Sequence, residues 1–172
     1  VRRVSSRRSP EKSGRMPNFL INGFSAKSGG GRAIFRDYLG LLVANDALRP
    51  ARYFVLSARP EEDRKLARTC SHVVVVDVPQ WLRRTIMLPV FYFCWLAWFV
   101  RREGITAIFN FGDIVLPLPV AQVYFFDWSY AVHPESAVWA RMTLRDRWVR
   151  RAKLAVIRAT LHHATLTIAQ TE

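Results

Sequence analysis

The sequence predicts an α/β domain with a mostly parallel sheet and helices on both faces. Two observations lead there. Short apolar runs alternate with stretches of helical periodicity. The third run, His72–Val78 (HVVVVDV), is continuous and β-branched, as a strand buried on both faces requires.

The elements follow in order. Asn18–Asn22 (NFLIN) is a short apolar strand, and Gly23–Gly31 is a polar, glycine-rich loop. Arg32–Leu48 repeats apolar residues at helical spacing, with Ile34, Tyr38 and Leu41 on one track and Phe35, Leu39 and Leu42 beside it. Tyr53–Ser57 reads as the second strand. Pro60–Thr69 is a short charged helix with proline in its first turn. Gln80–Glu103 is expected as one long helix. Ala107–Phe111 and Val120–Phe126 are the fourth and fifth strands, and Trp128–Ser136 is an aromatic loop. Ala137–His163 is a long basic helix leading to a sixth strand, Thr165–Ala169. This order is Rossmann-like. Such sheets bind ligands at the carboxyl ends of their strands, so the loops after Asn22, Phe111 and Phe126 are the ones to watch.

Lysine and arginine number 26 against 13 acidic residues in 172, a net charge of +13. Such a surface attracts anions: nucleic acid, anionic headgroups or phosphorylated substrates. Residues 1–15 carry six bases and Glu11, so they read as an over-extended start or a basic, disordered arm, with 16–172 as the folded domain. That segment is short and lacks the apolar face of a transit peptide. Cys70 and Cys94 fit no metal spacing or redox pair, which points to inert thiols in a reducing compartment. Nucleic-acid binding rests on charge alone, since no zinc spacing, recognition-helix pattern or ribonucleoprotein-type aromatic motif is present.

The glycine loop, Asn22 to Arg32, is the first candidate for chemistry. Glycines let the backbone turn sharply and bring N–H groups close to an anion at a helix N-terminus. The spacing is not that of a dinucleotide fingerprint. Nor is it a Walker A loop, because Lys27 precedes the glycines. A plain flexible turn is the competing reading.

The stretch LINGFSAKSGGGRAIFRDYLGLL is similar to the opening of glycosyltransferase family 4 chains, where a first strand runs through two or three glycines into a helix with an aromatic residue and paired leucines. IFNFGDIVLPLPVAQVYFFDWSYAVHPES resembles that family's fourth strand, proline-containing turn and fifth strand, and HHATLTIAQTE resembles the strand closing its N-terminal domain. Thr165 stands where aspartate is usual. The resemblance covers about Met16 to Glu172 and rests on the order and spacing of these motifs. It implies the N-terminal, acceptor-side half of a GT-B fold.

By that resemblance, Gly29, Gly30 and Gly31 face the diphosphate of a nucleotide-sugar, and Arg32 or Lys27 adds charge to the leaving phosphate. For Lys27 a solvated surface position is the better expectation. Asp127 ends the fifth strand, where a carboxylate would orient or deprotonate an acceptor hydroxyl, and His133 competes for that role. Asp113, after the fourth strand, is a further ligand-facing candidate. Loop capping or plain surface positions are the alternatives for these three. No metal and no cofactor are expected, the nucleotide-sugar being a substrate. Retaining members hold the donor with a carboxylate pair in a C-terminal domain. No such pair stands in this chain, which is therefore expected to be inactive alone and to need a donor-binding domain from the same or a separate chain.

Trp81–Glu103 has an apolar core of sixteen residues, Thr85–Val100, between arginine pairs. At about 1.5 Å per residue it falls short of a bilayer's hydrocarbon core. The expectation is a domain helix that also presents aromatics and arginines to a membrane interface. The basic helix 137–163, with an apolar stripe through Leu144, Trp148, Ala152, Ala155 and Val156, supports it, a plain solvated face being the competing reading. The sequence thus predicts a membrane-surface sugar transferase acting on a lipid-linked or polysaccharide acceptor. It would be cytoplasmic, on the inner face of a bacterial plasma membrane. The alternative is a non-catalytic partner that recruits a separate donor-binding subunit to the membrane.

Overall fold

A computed structural model describes residues 16–111, 114–126 and 137–169. Six strands form one sheet: β1 (Asn18–Gly23), β2 (Arg52–Ser57), β3 (Val73–Val76), β4 (Ile105–Asn110), β5 (Ala121–Phe126) and β6 (Leu166–Ala169). Their order is β3-β2-β1-β4-β5-β6, and all five pairings are parallel. The sheet is therefore wholly parallel, and the fold is α/β and Rossmann-like.

Two helices lie over one face: α1 (Gly29–Ala44) and α2 (Pro60–Ala67). Phe35, Leu39 and Leu42 of α1 and Ala67 of α2 pack there against Ile21, Tyr53, Val55 and Val73. Residues one position along each strand point the other way. Leu20, Phe54, Leu56 and Ile108 meet Leu82, Phe91, Tyr92, Leu96, Phe99 and Val100 on the opposite face. Several of these side chains are fully buried, each worth roughly 1.5–3 kcal/mol relative to exposure.

The segment expected as one helix over 80–103 is divided. Two 3₁₀ turns, Gln80–Arg83 and Thr85–Met87, come first, separated by extended Arg84 (ψ 138°). Helix α3 spans 88–102. It starts at Leu88 because Pro89 has no N–H to give and is tolerated only in a first turn. A π-helical turn, Phe91–Trp95, interrupts it before Leu96–Arg102. No described helix is long and apolar enough to cross a membrane.

The basic helix is likewise divided. α4 (Ala137–Arg141) is followed by α5 (Leu144–Thr160). The break falls at Thr143, whose hydroxyl accepts from the Asp146 N–H at 3.1 Å and donates to Asp146 Oδ2 at 2.7 Å, a reciprocal N-terminal cap. Ile157 of α5 packs with Tyr124 and Val115. Tyr124 pairs with Asn110, two residues beyond Ile108 on the same strand. Tyr124 therefore points to the α3 side, so α5 covers the same face as α3.

Candidate functional site

The strand order reverses direction between β1 and β4, and ligands in open parallel sheets sit at the carboxyl ends of the strands flanking such a switch. A pocket of about 340 Å³ occupies that place, within the range of small-molecule sites. Its floor comes from the loop after β1 (Phe24 to Ser28), Gly31 of α1 and Phe111 after β4. Leu88 and Tyr92 of α3 form one wall, and Asp146, Val149, Arg150 and Lys153 of α5 form another.

The loop after β1 folds tightly. Ala26 N donates to Gly23 O at 3.1 Å and Lys27 N to Ser25 O at 2.8 Å. Phe24 turns inward and stacks on Phe91, ring centroids 4.2 Å apart. α1 begins at Gly29, earlier than its periodicity predicts, so the glycines form its first turn and not the loop. Gly29 has φ 68°, a left-handed conformation that glycine adopts without strain. Ser28 is the N-cap residue but makes no side-chain cap, and the first turn holds no acidic residue. The first N–H groups of α1 thus keep their donor capacity and positive end charge beside the pocket.

A buried amide ladder holds the rim. Asn22, Asn110 and Gln122 are each 0% exposed. Phe24 N donates to Asn22 Oδ1 (3.3 Å), Asn22 Nδ2 to Asn110 Oδ1 (3.0 Å) and Asn110 Nδ2 to Gln122 Oε1 (3.3 Å). Gln122 then clamps the Leu116 backbone, accepting from its N–H at 3.0 Å and donating to its carbonyl at 2.6 Å. The ladder crosses three strands and fixes the loops after β1 and β4 relative to each other. Sequence reasoning passed over it. Its signal is a buried polar residue inside three apolar strands, Asn22 and Asn110 near the ends of β1 and β4 and Gln122 near the start of β5.

The candidates separate in space. Gly31 lines the pocket, whereas Gly29 and Gly30 are exposed. Arg32, expected beside a phosphate, turns to α2 instead. It makes two hydrogen bonds to Asp63, and its Nη2 lies 3.2 Å from Glu62 Oε2. The Asp63 hydrogen bond raises the Arg32 pKa against the opposing effect of burial. Lys27 is exposed, as expected, and also lines the pocket with Arg150 and Lys153. Asp113, Asp127 and His133 lie outside the described residues. Among the described residues, no group of His, Cys, Asp or Glu could hold a metal ion.

Cys70 and His72 meet away from this pocket. Cys70 Sγ lies 3.2 Å from Nδ1 and 3.4 Å from Nε2 of the His72 ring. Such near-equal distances put sulfur over the ring face and not in line with a lone pair. The pair is therefore no nucleophile–base dyad.

Comparison with protein-family models gave no match, and neither did comparison with curated proteins or with solved structures.

Proposed function

We propose that this chain is the N-terminal, acceptor-side domain of a GT-B sugar transferase of the family 4 type. The switch-point pocket would take the diphosphate of a nucleotide-sugar. One observation carries the reading: an uncapped helix N-terminus and three cations, Lys27, Arg150 and Lys153, meet in a pocket whose only described acid is Asp146. An anion gains there from backbone N–H groups, the helix dipole and side-chain charge together. The phosphate charge falls to Lys27, Arg150 and Lys153 in this reading, because these three line the pocket and Arg32 does not. Asp127 and His133, with Asp113, remain the proposed acceptor-side groups. In this reading a donor-binding domain, from the same or a separate chain, completes the enzyme. It works at the inner face of the plasma membrane on a lipid-linked or polysaccharide acceptor.

Photo-crosslinking tests this. Azido-UDP-sugar and azido-GDP-sugar probes are irradiated with the protein, and the labelled peptides are mapped. The expected label lies in 24–31 or 144–153 and is competed by the matching nucleoside diphosphate but not by the nucleoside. Label that is confined to other peptides, or indifferent to diphosphate, sinks the reading.

A further inference from the structure

The two faces of the sheet carry very different charge. α1 and α2 together hold four basic and four acidic residues, a net of zero. On the other face, residues 80–103 and 144–160 hold ten basic residues against Glu103 and Asp146, a net of +8. The sheet separates α1 and α2 from α3 and α5, and only at the β3 edge does Arg83 come beside Glu61 and Glu62, so the charge of these helices is one-sided.

The same basic face exposes large apolar side chains. Ile86 is 78% exposed, Leu144 74% and Trp148 68%, and Phe93 and Trp98 are about half exposed. On α3, Val90, Phe93 and Trp98 stand outward while Phe91, Leu96, Phe99 and Val100 pack on the sheet. The Arg102 guanidinium lies over the Trp98 ring, 4.9 Å from its centroid, pairing cation and aromatic at the surface. Solvated faces of soluble proteins do not ordinarily combine exposed tryptophans with a large charge of one sign. A nucleic acid would use the charge but leaves Ile86, Leu144 and Val90 unexplained. An anionic bilayer uses both: its headgroups take the arginines, and its interface takes the aromatic and aliphatic side chains.

We infer that the face formed by the 3₁₀ turns, α3 and α5 is a docking surface for an anionic lipid bilayer. It deepens the membrane-surface part of the proposed function and does not depend on the sugar-transfer part. α3 and α5 also wall the switch-point pocket, so docking sets that pocket at the membrane side of the molecule.

Vesicle sedimentation with the intact chain tests it. Phosphatidylglycerol-containing vesicles are compared with pure phosphatidylcholine vesicles and with a labelled single-stranded RNA. Arg145→Glu/Arg151→Glu reverses two exposed charges on the basic face, and Arg36→Glu/Lys65→Glu reverses two on the other. Both carry the same net change and keep residues 1–15. The first pair is expected to lower partitioning onto anionic vesicles by at least about tenfold, on the scale of a few basic contacts, and the second pair by less than about twofold. Trp148→Ser, which leaves the charge unchanged, is expected to weaken binding by about threefold through its lost interfacial contact. Equal loss from the two charge pairs overturns the inference. So does equal partitioning onto neutral and anionic vesicles, or RNA binding without vesicle binding. The photo-crosslinking result bears on none of these readouts, so either proposal can fail alone.

Discussion

Arg32 grips Asp63 with both ends of its guanidinium, Nη1 to Oδ2 at 2.8 Å and Nη2 to Oδ1 at 2.7 Å. Asp63 is 1% exposed and Arg32 8%. This pair joins α1 to α2 and takes the cation nearest the glycines out of the pocket. Removing Arg32 leaves the Asp63 carboxylate buried without a cation, and removing the Asp63 charge leaves Arg32 only the exposed Glu62. Arg32→Ala or Asp63→Asn is therefore expected to cost about 3–5 kcal/mol in urea unfolding, while Arg32→Met/Asp63→Leu recovers much of it. Single variants that unfold like the wild type would contradict the buried pairing.

Gln122 anchors the amide ladder. Its truncation strips partners from Asn110 and from both Leu116 backbone groups. Gln122→Ala is expected to lower stability by roughly 2–4 kcal/mol, since each buried orphan costs about 1–3 kcal/mol and some admit water. Hydrogen exchange at Phe24 and Leu116 should rise beyond that at Val55, which lies outside the ladder. Uniform exchange across all three would show that the ladder does not hold the rim.

Two glycines near the pocket predict opposite behaviour from their neighbour. A Cβ on Gly23 would collide with the Phe35 ring, while one on Gly30 would meet nothing within 4 Å. Gly23→Ala is expected to cost about 1–3 kcal/mol by overpacking. Gly29→Ala should cost about 1–2 kcal/mol for its positive φ. Gly30→Ala should be neutral or stabilising by up to about 1 kcal/mol through helix propensity. Thermal melts of the three variants give the order directly, and a destabilising Gly30→Ala would place the start of α1 wrongly.

Burial raises the pKa of Tyr38 and of Tyr53, and for Tyr38 the neighbouring Tyr53 adds to it. A phenol with a raised folded pKa holds its proton more tightly folded than unfolded. Its contribution is whole below the ordinary value of 10.0 and is lost as pH rises through the higher folded one. Denaturant midpoints are expected to hold level to about pH 9 and fall above about pH 10. Tyr38→Phe and Tyr53→Phe should each blunt the fall; an identical fall in all three proteins would assign it elsewhere.

Strand and helix placement along the chain was legible because it follows from short apolar runs, the β-branched run at Val73–Val76 and helical periodicity, whereas the order of the strands in the sheet is a tertiary fact. Helix starts were less legible. Pro89 and Thr143 each ended one segment and began another, and the apolar content of 80–103 hid the 3₁₀ turns and the π-helical turn. The site's cations were least legible. Arg32 is adjacent to the glycines in sequence, but its partner is Asp63, thirty-one residues away, and no local pattern reports that. Lys27 is exposed, as expected, but its place beside Arg150 and Lys153 depends on α5, more than a hundred residues on. Acid–base partners and amide ladders are tertiary facts, read only when the strands are laid side by side.

A nuclear magnetic resonance titration of the amide signals puts the central claim to its sharpest test. UDP or GDP is added on the order of millimolar, where weak single-domain binding registers, with uridine and guanosine as controls. The diphosphates should move the N–H signals of Ser25 to Gly31, and the nucleosides should leave them in place. If those signals stay fixed, or if nucleosides move them equally, the loop and helix start beside the β1/β4 switch do not bind phosphate.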